Sequence, residues 1–103
     1  MGKVERWLDV PGYGGRYMVS DLGRVRRMEW ANAEGRALHQ RVLKPGMNTS
    51  GYLGVVLTND EGRRWISVHR MVASAFLSNP MGYPFVNHVN HNKLDNSRSN
   101  LEW

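Results

Sequence analysis

Residues 87–103, Asn-His-Val-Asn-His-Asn-Lys-Leu-Asp-Asn-Ser-Arg-Ser-Asn-Leu-Glu-Trp, determine how the rest of this chain is interpreted. A His at a strand end can act as a general base, because its unperturbed pKa lies near neutral pH. A neighbouring carboxamide oxygen can bind a hard cation such as Mg²⁺ or Mn²⁺. Asn87 and His88 supply these two groups. Adjacent strand residues face opposite ways, so we expect a local bend or bulge if both serve one site.

The composition favours a single intracellular domain with an acidic partner. The chain has 103 residues, and its 14 Lys and Arg against nine Asp and Glu give a net charge of +5. That balance predicts nucleic acid rather than a membrane as the partner, since there is no long apolar run or basic amphipathic helix. The absence of Cys excludes disulfides, iron–sulfur clusters and Cys-type zinc sites. The N-terminus lacks the features of a signal peptide, so we expect a cytoplasmic location.

Short hairpins are predicted for most of the chain before the last quarter. Alternating apolar residues predict a strand at 16–20, with Tyr17 and Val19 on one face, a tight turn at 21–23 and a return strand at 24–28. Beyond a loop at 31–35 we expect strands at 37–43, 52–58 and 63–67, the last two joined by a turn at 59–62.

One amphipathic helix is predicted after these strands. Its apolar stripe has the spacing i, i+3, i+4, i+7 and i+8 and consists of Val68, Met71, Val72, Ala75 and Phe76. Ser67 is the expected N-cap, and Asn79-Pro80 ends the helix. The predicted fold class is therefore α+β: small antiparallel hairpins packed on one amphipathic helix.

Several segments together resemble the HNH homing-endonuclease family. Val86-Asn87-His88 matches the opening of the HNH motif, 92–96 matches its Asn-rich loop, and 100–103 matches its central Asn and flanks. Residues 68–76 look like the helix that precedes the motif. Residues 7–26 resemble the modular DNA-binding motif found at the N-terminus of such nucleases. The resemblance covers nearly the whole chain in the right order.

The resemblance implies one domain, 1–103, in three parts: a nuclease-associated DNA-binding motif at 1–30, a hairpin plus helix at 31–80, and a partial ββα-metal motif at 81–103. It implies that His88 is the catalytic base, that Asn87 binds a divalent metal, Mg²⁺ or Mn²⁺, and that Asn100 orients the catalytic loop. Double-stranded DNA is the implied partner.

Two departures from the family pattern concern the site. Asn90-His91 stands where the family usually has Asp-Gly. In the family a helix follows the Trp and carries a second protein metal ligand, and no residue of this chain matches that ligand. We therefore expect a motif shortened before its last ligand, with Leu101 and Trp103 covered by a protein partner or a second copy in a homodimer.

Simpler interpretations exist for most of these residues. Asn87 and His88 could be a turn Asn beside a hydrogen-bonded strand-end His. For His91 we expect a solvated loop residue rather than a compensating metal ligand. His69 is expected to pack or bond at the helix end. The remaining polar residues are expected to form turns or to hydrogen-bond the loop backbone. They are Asn90, Asn92, Asp95, Asn96 and Asn100.

The sequence leaves the function, and whether the chain is an enzyme, open among three hypotheses. The leading hypothesis is a DNA-binding, metal-dependent endonuclease or nickase of the HNH type. Its DNA-binding residues would be Arg24, Arg26, Arg27, Arg63 and Arg64, which suit phosphate contact. The alternative is an inactive relative that binds DNA or inhibits another protein, as in a phage anti-defence protein. An RNA-binding module, with Tyr13, Tyr52 and Trp65 stacking on bases, ranks third.

Overall fold

Antiparallel β-ribbons and one α-helix form the architecture in the computed structural model, which describes residues 4–31 and 35–103. The elements are β1 Trp7–Asp9, β2 Tyr17–Ser20, β3 Val25–Arg27, β4 Trp30–Ala31, β5 Ala37–Leu38, β6 Arg41–Val42, β7 Gly46–Met47, β8 Leu53–Asn59, β9 Gly62–Ser67, α1 Val68–Phe76, β10 Asn87–His88, a 3₁₀ turn Arg98–Asn100 and β11 Leu101–Glu102. This arrangement confirms the α+β prediction.

The N-terminal sheet has the strand order β1-β2-β3-β6, with each neighbouring pair antiparallel. Val19 pairs with Val25, and both are buried, as the alternation predicted. The turn at 21–23 is also confirmed: Gly23 has a φ of +88°. Ser20 Oγ closes this turn by accepting hydrogen bonds from the backbone amides of Leu22 and Arg24, at 3.2 and 3.1 Å.

The stretch 37–43 does not form the single strand that was predicted. Ala37–Leu38 pairs with β4, whereas Arg41–Val42 pairs with β3 in a different sheet. Arg27 stabilises the bend between them, because its Nε and Nη2 donate to the His39 carbonyl at 3.1 and 3.0 Å. The loop predicted at 31–35 is only partly testable. Ala31 belongs to β4, and residues 32–34 lie outside the described residues.

A long hairpin follows, in which β8 pairs with β9 from Gly54↔Ser67 to Asn59↔Gly62. The strands predicted at 52–58 and 63–67 are thus confirmed within a residue. Val55 and Leu57 lie on the buried face. The hairpin joins the N-terminal sheet through the Thr58 backbone amide, which donates to the Tyr17 hydroxyl at 3.1 Å.

Helix α1 packs its predicted apolar stripe into the core. Val68, Met71 and Val72 are buried, and Ala75 and Phe76 are partly buried. Ser67 occupies the N-cap position, as predicted, with an extended backbone, although its side chain makes no capping hydrogen bond. The helix ends at Phe76, before the predicted Asn79-Pro80 stop. In the described part of the chain, no helix has the length and apolarity needed to cross a bilayer.

The terminal strand completes the same core. Leu101 is buried in the same core as the apolar side chains of α1, β2, β3 and β8. Trp103 is half-buried, and its Nε1 donates to the Leu77 carbonyl at 3.2 Å. The chain itself therefore covers Leu101 and much of Trp103. The argument that these two residues need cover from another protein molecule is wrong.

Candidate functional site

The β10–β11 ladder holds Asn87 and His88 on opposite faces. Asn87 pairs with Glu102, and His88 pairs with Leu101, in a regular antiparallel register. Asn87 is exposed, and its Nδ2 donates to Glu102 Oε1 at 3.0 Å. His88 is only 5% exposed and points the other way, towards the core with Leu101. The ladder thus separates the two side chains, and its regular register has no bulge at this pair.

Asn96 holds the imidazole of His88. His88 Nε2 lies 2.7 Å from Asn96 Oδ1, and Asn96 is itself only 5% exposed. A carboxamide oxygen accepts but cannot donate, so Nε2 carries the proton in this pair and Nδ1 of the neutral ring carries the lone pair. Asn96 therefore selects the tautomer of His88. Sequence reasoning expected Asn96 to be a turn former and missed this contact.

The rings of Tyr52, His69 and His88 form a stack. The centroid of Tyr52 lies 4.8 Å from that of His69, and the centroid of His69 lies 5.0 Å from that of His88. Lys93 Nζ sits 4.7 Å from the Tyr52 ring centroid and donates to the Ser50 carbonyl at 2.9 Å. His69 is buried, which confirms the packing expected for it. The stack fixes one face of the His88 ring against α1.

His69 is held neutral in this stack. Burial is the main cause that lowers the pKa of His69 to about 4, and the nearby His88 and Arg70 lower it further. Its Nδ1 is buried and has no hydrogen-bond partner within residues 4–31 and 35–103. A buried polar atom without a partner costs free energy, so the aromatic contacts must offset that cost.

The Asn100 side chain hydrogen-bonds two residues of the loop between β10 and β11. Its Nδ2 donates to the Asp95 carbonyl and to Asn90 Oδ1, each at 2.9 Å. Its Oδ1 accepts from the Asn90 backbone amide at 3.1 Å. The expected bonding of Asn100 to loop backbone is confirmed. The side chain is buried, so these bonds form out of contact with bulk water.

The loop between the two strands is built from side-chain turns. Asn90 Oδ1 accepts from the Asn92 amide at 2.9 Å, and Asn92 Oδ1 accepts from the Leu94 amide at 3.0 Å. His91 has a φ of +64°, a region that costs side chains energy and that Gly adopts freely. This geometry explains why the family pattern has Gly at that position. His91 is exposed, and no group of three His, Cys, Asp or Glu suited to a metal occurs in the described residues.

The loop also contacts the turn of the N-terminal sheet. The Arg98 amide donates to the Asp21 carbonyl at 2.7 Å. A Cβ placed on Gly23 would lie 3.0 Å from Asn96 Cβ, so Gly is needed there for its size as well as its φ. The residue that holds His88 is therefore packed directly on the N-terminal motif. Sequence periodicity carries no signal for this contact, because its two partners lie 73 positions apart.

Two of the candidate DNA-binding arginines surround Trp7. The guanidinium of Arg26 lies 4.3 Å from the Trp7 ring centroid, and that of Arg24 lies 5.5 Å from it. Arg24 also forms a bidentate ion pair with Glu5. The hydrogen bond from Arg24 is the main cause that lowers the pKa of Glu5 to about 2. Arg24 is thus partly neutralised.

The other three arginines lie elsewhere. Arg27 follows Arg26 in β3, so it faces the opposite side of the sheet, where it bonds the His39 carbonyl. Arg63 and Arg64 are exposed on β9 and line a polar cavity with Tyr13 and Glu61. The structure does not gather the five arginines into one cluster.

Comparisons with known proteins show a family match in the first half of the chain and similarity to HNH endonucleases over nearly its whole length. Residues 5–58 match the model of the NUMOD4 motif. Two uncharacterized HNH endonucleases of Acanthamoeba polyphaga mimivirus are 41% identical over 73 residues and 35% identical over 105 residues. These alignments cover 68% and 98% of this chain, but only 22% and 24% of the viral proteins.

The DNA endonuclease I-HmuI of Bacillus phage SP01 is 31% identical over 97 residues, 94% of this chain. A solved structure that describes DNA binding and cleavage by this HNH homing endonuclease has the same fold, with a TM-score of 0.77 over 95% of the chain. The chain spans about half the length of that enzyme, 51%.

Proposed function

We propose that this chain, which belongs to the HNH homing-endonuclease family and carries its NUMOD4 motif, binds double-stranded DNA and uses His88 as the general base of phosphodiester hydrolysis. The observation that carries the proposal is the His88–Asn96 hydrogen bond at 2.7 Å. It leaves the lone pair of the neutral imidazole on Nδ1, where a base must accept its proton. The net charge of +5 favours an anionic partner.

The chemistry of the donors on the exposed face of the ladder fits a divalent cation. Asn87 and Glu102 bring a carboxamide and a carboxylate together, with one hydrogen bond between them. Mg²⁺ and Mn²⁺ prefer such oxygen donors and keep several waters besides. Asn87, with Glu102 beside it, would hold the ion, and the β10–β11 hairpin would have to rearrange to bring that ion and His88 to one phosphate. When bound, the ion supplies charge neutralisation at the scissile phosphate.

The remaining roles fall to residues that position the base. Asn96 keeps the proton of His88 on Nε2 and stabilises the imidazolium formed when Nδ1 is protonated. Asn100 holds the loop on which Asn90 and Asp95 lie. Arg26, the arginine on Trp7 that lacks an ion pair among the described residues, contacts a DNA phosphate.

A second candidate function is DNA binding without cleavage. Asn87 and His88 lie on opposite faces of the ladder, and His88 is 5% exposed. Because the imidazole of His88 is buried, the hairpin must rearrange before a water molecule and a phosphate can reach it. This observation favours an inactive chain that occupies DNA or blocks another protein.

A nicking assay on supercoiled plasmid decides between the two candidates. The assay compares the 103-residue chain with Mg²⁺, Mn²⁺ or EDTA, alongside His88→Ala and the matched control His91→Ala. We expect His88→Ala to slow nicking by about 10²-fold or more, as loss of a general base does, while His91→Ala leaves it unchanged. Equal nicking by His88→Ala would remove His88 from the mechanism. Salt-sensitive duplex binding without nicking by the unaltered chain would favour the second candidate.

A further inference from the structure

Trp65 lies on the outer face of the β8–β9 hairpin in a position that Gly54 makes possible. Trp65 pairs with Val56 across the hairpin. The six-membered ring of its indole covers the space that a side chain at Gly54 would occupy, since a Cβ there would lie 2.2 Å from Cζ2 and 2.4 Å from Cε2. Trp65 remains 41% exposed. The ring is therefore held in place by backbone and presented to solvent.

A cavity of about 300 Å³ opens beside this ring. Its lining includes Trp65, Gly54, Val56 and Leu43, together with the cationic side chains of Arg41 and Lys44. This volume is at the lower end of the range of small-molecule sites, about 300–1,000 Å³. The cavity thus has room for one planar ring beside the indole.

The charges around the cavity are of one sign. Arg41 and Lys44 are exposed, no carboxylate lines the cavity, and neither cation forms an ion pair within the described ranges 4–31 and 35–103. An aromatic face beside unpaired cations is the combination that binds nucleic-acid strands, because bases stack on the ring and phosphates contact the cations.

The geometry points to a binding site for an unpaired nucleotide of a DNA strand, with its base stacked on Trp65 and its phosphates held by Arg41 and Lys44. Bases within a duplex have both faces covered by their neighbours, so only an unpaired base offers a face to the indole. No residue of β10 or β11 lines this cavity. The site is therefore separate from the hairpin that carries His88.

Binding of a fluorescent dT₁₂ oligonucleotide and of a matched duplex tests the site. We expect Trp65→Leu to weaken dT₁₂ binding about tenfold, the loss typical of one stacked base, while duplex affinity changes less than twofold. Trp65→Phe, which keeps a stacking ring, should recover most of that loss. Unchanged dT₁₂ binding in Trp65→Leu, or an equal loss on the duplex, would overturn the proposal.

A crosslinking measurement on the unaltered chain keeps the test valid if Trp65→Leu fails to fold. Irradiation with an oligonucleotide that contains 5-iodo-deoxyuridine should join the strand to the peptide containing Trp65, identified by mass spectrometry. Crosslinks confined to other peptides would overturn the proposal. Neither measurement depends on nicking, so the result is independent of whether His88 is catalytic.

Discussion

The N-terminal sheet and the terminal hairpin are built by different forces. In the sheet, apolar side chains on alternate strand positions, such as Val19 and Val25, are buried while Arg26 lies on the opposite face of β3. In the hairpin 87–102, two strands of two residues each are joined by a loop held through carboxamide side chains. One apolar residue can replace another in a core at modest cost. A hydrogen bond made by a carboxamide is lost with almost any other side chain at that position. The hairpin should therefore tolerate single changes less well than the sheet.

The largest expected loss of stability comes from a change inside the hydrogen-bond network of the hairpin. Asn100→Ala removes three hydrogen bonds of a buried side chain, so we expect it to lower the free energy of unfolding by about 3 kcal/mol. Asn92→Ala removes one bond on an exposed loop and should cost about 1 kcal/mol. Urea titrations of both variants measure the gap. Equal losses would contradict the buried network.

A pair of glycine variants tests the contact between the two regions. Gly23→Ala and Gly12→Ala share similar positive φ values, +88° and +86°, but only a Cβ at Gly23 meets Asn96. We expect both to lose about 1–2 kcal/mol from the backbone, and Gly23→Ala to lose about 1 kcal/mol more through crowding. Urea unfolding again gives the difference. If the two variants are equally stable, the turn does not press on Asn96.

The pH dependence of stability tests the buried imidazole. The pKa of His69 is lowered on folding from 6.5 to about 4, so the unfolded chain binds more protons between these values. Stability should therefore be full above about pH 6.5 and fall by about 3 kcal/mol as the pH drops towards 4.

His69→Phe keeps an aromatic ring in the stack and should lose that dependence. Unfolding titrations at pH 7.5, 6, 5 and 4 compare the two chains. The Glu5–Arg24 pair serves as an internal control. The pKa of Glu5 is lowered to about 2, so its contribution is lost below pH 4.5 in both chains. The same pH slope above 4.5 in both chains would contradict a neutral buried His69.

The smallest effect is a gain in stability. His91 holds a φ of +64°, which Gly adopts without strain but with a larger entropy loss on folding. His91→Gly should raise the free energy of unfolding by about 0.5–1 kcal/mol, as the balance of these two terms. A lower thermal midpoint in the variant would indicate that the His91 side chain makes a stabilising contact.

The contrast between the N-terminal sheet and the terminal hairpin also explains which features the sequence could predict. The β2–β3 turn, the β8–β9 hairpin and the stripe of α1 follow local rules of period and turn chemistry, and the structure agrees with them. The split of 37–43 depends on Arg27 bonding a carbonyl 12 positions away, and the holding of His88 depends on Asn96 meeting Gly23. Such contacts between side chain and backbone have no period, so local patterns do not predict them. The separation of Asn87 from His88 did follow from strand alternation.

The most direct test of the account measures DNA binding and plasmid nicking in the same preparations of Arg26→Gln and His88→Ala. Arg26→Gln should weaken duplex binding and reduce the slope of log affinity against log salt by about 1, the contribution of one phosphate contact. His88→Ala should bind the duplex like the unaltered chain but fail to nick it with Mg²⁺ or Mn²⁺. Unchanged binding by Arg26→Gln together with full nicking by His88→Ala would contradict the assignment of binding to the sheet and of chemistry to the hairpin.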